Sequence, residues 1–209
     1  MSRLLRWWFY RSGWKVEGKF PDDFSKCVVC AAPHTSNWDF LYGIATIDIL
    51  GLHFKYAIKK EWTDSLLGPL LKRSGAIGID RKKGEVARQG EKISAVDAMV
   101  NLFDDYEELY LLLTPEGTRS AVDRLKTGFY RVALQAKVPI VLCYIDYGKK
   151  VTGIGPVFEP TGNMENDLET IEQFFSTKIG KHPHKGIGFN RRRKKGDKKS
   201  KAKELIMHN

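Results

Sequence analysis

The chain has 209 residues, 42% of them hydrophobic, with Lys+Arg at 35 against Asp+Glu at 25. That length supports one well-packed, enzyme-sized domain and excludes two comfortable ones, and no apolar run reaches the roughly 18 to 20 residues that cross a bilayer. The formal charge of +10 sits largely in residues 191–203, where nine Lys/Arg face one Asp, so the high pI describes a tail and not a folded body.

The chain opens on Arg3-Leu4-Leu5-Arg6-Trp7-Trp8-Phe9-Tyr10-Arg11, with Trp14 and Lys15 just beyond. Rings interleaved with arginines suit two arrangements, a segment lying in a membrane interface or a helix packed on the domain by its tryptophans. The segment lacks a signal peptide's continuous apolar core, so the expected location is cytoplasmic, peripherally associated with an anionic membrane surface. Residues 1–18 are read as this interfacial segment, 19–190 as the domain and 191–209 as the tail.

A β-rich run at 27–32 contains Cys27-Val28-Val29-Cys30. Residues three apart on a strand point to opposite faces, which argues against a redox or metal pair. With Cys143 the count is odd and a fourth zinc ligand is missing, so all three read as reduced core residues and no metal is expected.

Directly after that run come His34-Thr35-Ser36-Asn37-Trp38-Asp39. Positions five apart lie about 140° apart on an ideal helix, so His34 and Asp39 cannot share a helical face. A turn at Pro33-His34-Thr35 before a helix capped at Ser36 lets the imidazole fold back toward Asp39. The carboxylate would then fix the tautomer and stabilise the imidazolium formed when His34 takes a proton from a hydroxyl. The same letters fit a capping box, S-x-x-D, with His34 merely adjacent. Both readings stand on this segment alone.

A helix over 36–50 and a strand over 54–59 follow. The next helix, 61–73, places Trp62, Leu66, Leu67, Leu70 and Leu71 on one face, expected to pack in the core, with a guide for an acyl chain as the alternative. A strand over 76–80 ends at Arg81, which reads either as a cation at a strand end or as a surface arginine beside Lys82 and Lys83. After a helix over 85–103 and a strand over 109–114 comes Pro115-Glu116-Gly117-Thr118-Arg119-Ser120. Gly117 permits a tight turn with outward amides, Thr118 adds a hydroxyl, and Arg119 adds a bidentate fork for phosphate. An ordinary surface turn fits as well. A helix over 127–137, strands over 140–146 and 151–157, and a helix over 164–178 complete the alternation.

This order predicts an α/β fold, one domain with a largely parallel or mixed sheet flanked by helices. Ligands of such folds meet loops at the carboxyl ends of strands, where both motifs sit. The tail lacks the apolar residues to offset its ordering entropy and reads as flexible, whether merely solvated, on anionic lipid or on nucleic acid. The absence of G-x-S-x-G, G-x-x-x-x-G-K-[ST] and G-x-G-x-x-G weakens hydrolase, NTPase and dinucleotide readings.

Together these residues resemble the glycerolipid acyltransferase family, whose lysophosphatidate acyltransferases carry H-x-x-x-x-D and E-G-T-R-S blocks. The similarity runs in order from about residue 26 to 160, with His34 and Asp39 in the first block, Gly75 to Arg81 like the second, Glu116 to Ser120 in the third, and Val138-Pro139-Ile140-Val141 like the fourth. The resemblance implies a single displacement, with His34 as general base and Asp39 as its partner. It also implies that Arg81, Glu116, Gly117, Thr118 and Arg119 hold the acceptor's phosphate. The expected partners are a lysophospholipid acceptor and acyl-CoA or acyl carrier protein as co-substrate, with no further cofactor and no nucleic acid. Pro33 stands where many members have Asn, which keeps open another lysolipid acceptor such as an amino-acid lipid. The alternative of another class is a basic membrane- or nucleic-acid-binding protein.

Overall fold

Cys27, Val28, Val29 and Cys30 are all fully buried, the pattern of a strand covered on both faces. The computed structural model describes residues 3–79, 85–86 and 92–187; Arg81 and the basic segment 191–203 lie outside the described residues. In chain order the elements are α1 (Arg3–Arg11), β1 (Lys15–Glu17), β2 (Lys26–Ala32), α2 (Trp38–Leu50), β3 (Phe54–Lys59), α3 (Lys60–Thr63), α4 (Gly68–Arg73), β4 (Ala76–Ile79), β5 (Glu85–Val86), β6 (Lys92–Ile93), α5 (Ala95–Asp105), β7 (Leu109–Leu113), α6 (Gly128–Ala136), β8 (Ile140–Asp146), β9 (Val151–Phe158) and α7 (Met164–Ser176).

Seven strands form one sheet in the order β1-β9-β8-β2-β7-β3-β4. All neighbours run parallel except β8 and β9, which pair antiparallel, so the sheet is mixed. At the centre Val28 stands opposite Leu111 of β7 on one side and Ile140 of β8 on the other. Alternation then sorts the side chains. Val28 and Cys30 face a core built with Phe103, Phe129, Tyr130, Ile171 and Phe175 of α5, α6 and α7. Cys27 and Val29 face the opposite core with Phe20, Phe54, Val141 and Cys143, against which Ile47 of α2 packs. The two cysteines of the C-x-x-C thus lie on opposite faces, and all three thiols are free.

Several boundaries differ from the sequence reading. The helix over 61–73 is broken into α3 and α4, because Pro69 starts a helix readily but cannot continue one. Gly68 lies so close to α3 that a Cβ there would meet the Thr63 carbonyl oxygen at 2.1 Å. Trp62, Leu66, Leu67 and Leu70 are consequently exposed, Leu66 fully so, and the expected core packing of this face is corrected. The helix over 85–103 shrinks to α5, preceded by β5 and β6 as an antiparallel pair. Its start is set by a capping box in which Ser94 and Asp97 exchange hydrogen bonds. The short strand β1 has no counterpart in the sequence reading.

α1 packs on the domain by one face and leaves apolar side chains exposed on another. Phe9 is buried with Trp14 against Tyr42 and Ala45 of α2, while Leu4, Trp7 and Tyr10 remain exposed. Arg6 ties the helix to α2, with Nε 2.7 Å from Asp48 Oδ2. Among the described residues no helix is long and apolar enough to cross a membrane.

Candidate active site

β2 ends at Ala32, and the next five residues carry the chain over the sheet edge into α2. The helix starts at Trp38, with Asn37 as its N-cap and no side-chain cap bond there, so the expected cap at Ser36 is one residue early. Asp39 performs the ordering instead. Its Oδ2 accepts the backbone N–H groups of Thr35 and Ser36, each at 2.8 Å, and stands 3.3 Å from His34 Nδ1. The carboxylate that pins the loop amides thus also faces the imidazole. The Asp39 side chain is 2% exposed and that of His34 22%. With Nδ1 toward Asp39, Nε2 is the nitrogen free to take a proton.

Burial pushes the Asp39 carboxyl up, but hydrogen bonds from His34, Tyr147 and the Ser36 amide outweigh it and hold the group below its ordinary value. Asp39 stays ionised beside His34. Its second oxygen, Oδ1, accepts the phenol O–H of Tyr147 at 2.7 Å.

The second motif follows β7. Gly117 has φ of 60°, a left-handed conformation that favours glycine, and its N–H donates to the Thr114 carbonyl at 3.1 Å to close the turn. A Cβ at Gly117 would meet Lys126 Cδ at 2.9 Å, so the Lys126 stem crosses this turn, a cation that the motif spacing did not single out. Glu116 is placed differently from the other motif residues. It is 1% exposed, its Oε2 accepts the backbone N–H of His34 at 2.6 Å, and its Oε1 has no partner among the described residues. The carboxyl is turned inward, toward the loop that carries His34. Burial and the nearby Asp39 charge, opposed by the His34 amide, push it up to about 8.

Between α2, the strand ends and α3–α4 lies a cavity of about 790 Å³. Pro33, His34 and Asp39 line it together with Gly117, Thr118, Arg119 and Ser120, and Phe40, Gly43, Ile44, Ile47, Tyr56 and Leu112 add apolar lining. An imidazole, a guanidinium and an apolar lining thus share one cleft. Residues 15–146, more than half of the chain, match a family model described as Acyltransferase.

The chain belongs to the acyltransferase family.

No curated protein matches this acyltransferase. Among solved structures it is similar to the crystal structure of the 1-acyl-sn-glycerophosphate (LPA) acyltransferase PlsC from Thermotoga maritima, at 16% identity and a TM-score of 0.52, over 86% of this chain and 81% of the other. At that identity the likeness concerns the fold, and the mixed sheet flanked by helices is shared. Within the acyltransferase the cleft brings together His34, Asp39, Gly117, Thr118 and Arg119, sets Glu116 behind His34, and leaves Arg81 outside the described residues. Sequence spacing had no means of finding Tyr147, which reaches Asp39 from 108 positions away.

Proposed function

We propose that this acyltransferase moves a fatty acyl group from an acyl thioester to the free hydroxyl of 1-acyl-glycerol-3-phosphate, giving phosphatidate. The observation that carries the reading is the cavity itself, about 790 Å³ in volume, whose lining holds His34, Arg119 and a set of apolar side chains. His34 Nε2 takes the proton of the acceptor hydroxyl as the oxygen attacks the thioester carbonyl carbon. The tetrahedral intermediate then collapses, the C–S bond breaks, and the thiolate recovers the proton from the imidazolium, which Asp39 stabilises meanwhile. No covalent acyl-enzyme is needed, because holding both substrates in one cleft supplies much of the rate by proximity. Arg119 and the Gly117–Thr118 turn hold the acceptor phosphate, with Arg81 as a further cation of the same role. Glu116 acts through the His34 amide.

An acceptor embedded in lipid suits an enzyme that works at an interface. Supporting that setting, Leu4 and Trp7 of α1, Phe40 and Leu41 of α2, and Leu66, Leu67 and Leu70 beside α4 are all exposed. Trp8 stacks on Trp38 at 6.4 Å, Phe40 meets Tyr56 at 5.7 Å, and Phe40 shares the cavity lining with Trp62, so these elements adjoin around the cleft.

Purified protein given acyl-CoA or acyl carrier protein thioesters and a panel of lysolipids tests the reading. The expected result is preference for lysophosphatidate in kcat/KM, and a drop of about 10²- to 10⁴-fold on His34→Ala. Turnover that survived His34→Ala would sink the mechanism. Preference for another lysolipid would move the acceptor to that class, a second reading favoured by Pro33, which lines the cavity.

A further inference from the structure

We propose that Tyr147 is a positioning residue of the active site, whose phenol holds the second oxygen of Asp39 and so fixes the carboxylate's direction toward His34. The inference rests on the acyl-transfer reading above and assigns a role outside both sequence motifs. Among the described residues, the other contacts of the Asp39 carboxylate run through Oδ2, to the Thr35 and Ser36 amides and to His34 Nδ1. A carboxylate held by one oxygen can still turn about its last bond, and each turn swings Oδ2 out of line with Nδ1. The bond from Tyr147 at 2.7 Å stops that rotation.

Tyr147 is itself built to stay in place. It lies on the turn between β8 and β9, where the buried Asp146 carboxylate accepts the Gly148 and Lys149 amides at 2.9 and 3.2 Å. Its own N–H donates to the Ile179 carbonyl at 2.8 Å. Trp14 meets its ring edge-on at 4.9 Å and Tyr42 at 5.7 Å, which leaves the phenol one direction to point. The titratable groups around Asp39 are His34 on its own loop, Glu116 on the loop after β7 and Tyr147, with Tyr42 of α2 behind the last. Burial and the Asp39 charge both push the Tyr147 phenol up, so it remains a donor wherever His34 works as a base.

Tyr147→Phe removes the oxygen and leaves the ring. The expected kcat falls about tenfold, the loss of one hydrogen bond's worth of alignment, with KM for both substrates within about twofold. In substrate-free protein, carbon-13 detection of the Asp39 carboxyl should show its titration moving upward, since a bond to the charged form is gone. Unchanged kcat, or a fall in kcat with the Asp39 titration unmoved, would overturn the proposal, the latter making Tyr147 a packing residue. Wild-type protein that turned over no acceptor would defeat the acyl-transfer reading, while the substrate-free titration would still decide what Tyr147 does to Asp39.

Discussion

Glu116 holds a proton that an exposed carboxyl would have released. Its ordinary value of 4.5 is raised to about 8, chiefly by burial. Between those two values the folded protein keeps a proton that the unfolded chain has lost, so stability falls as pH rises through this window. Glu116→Gln retains an acceptor for the His34 amide and cannot ionise. Its melting temperature should match wild type near pH 5 and exceed it near pH 8, by roughly 2 to 4 °C for each kcal/mol recovered. Parallel melting curves at both ends would refute a buried, protonated Glu116. Asp39 works in the opposite sense, since a carboxyl held below its ordinary 3.8 adds stability that is present above that value and lost as pH falls further. At this scale the His34 and Asp39 pair was legible because only four residues separate the two in the chain. The inward turn of Glu116 was not, because its partner lies 82 positions away and only the sheet brings β2 beside β7.

α2 is the element on which the cleft depends. Its first turn carries Asp39, its α1-facing side carries Tyr42 and Ala45, and Phe40, Gly43, Ile44 and Ile47 look into the cavity. A Cβ at Gly43 would meet nothing within 4 Å, and Gly43 lines the cavity, so a longer side chain there extends into cavity space. Replacing a helical glycine also raises helix propensity, by up to about 1 kcal/mol. Gly43→Met should therefore fold at least as well as wild type and lower kcat/KM for long acyl thioesters relative to short ones by roughly tenfold, the discrimination of a few methylenes. An unchanged chain-length profile would place the acyl chain elsewhere. Six strands were legible to within a residue or two, because strands buried in the sheet leave unbroken apolar runs, whereas β1, β5 and β6, two or three residues long, leave none. α3–α4 was not, because a stripe at helical spacing looks the same whether or not a proline interrupts it, and Pro69 carried the missing signal.

Across the whole molecule, α1, the first turn of α2 and the α3–α4 segment leave large apolar side chains uncovered, well beyond the scattered exposure normal for a surface. Burying a leucine side chain contributes about 1.5 to 3 kcal/mol, so contact through Leu66 and Leu70 alone would change affinity for a lipid surface by more than tenfold. The pair Leu66→Asp and Leu70→Asp should abolish co-sedimentation with anionic vesicles while turnover of a detergent-dispersed acceptor persists. Retained vesicle binding would remove this segment from the interface. The sequence revealed the apolar residues here, but their face depends on where α4 begins.

The three cysteines have a practical consequence. All are buried, and burial raises each thiol well out of the range where thiolates form at neutral pH. As these are the chain's full complement of three, a single cysteine introduced at position 66 would be the one thiol that a maleimide dye labels in folded protein. Its fluorescence would follow the approach to vesicles in real time, with the native sequence as its own silent background.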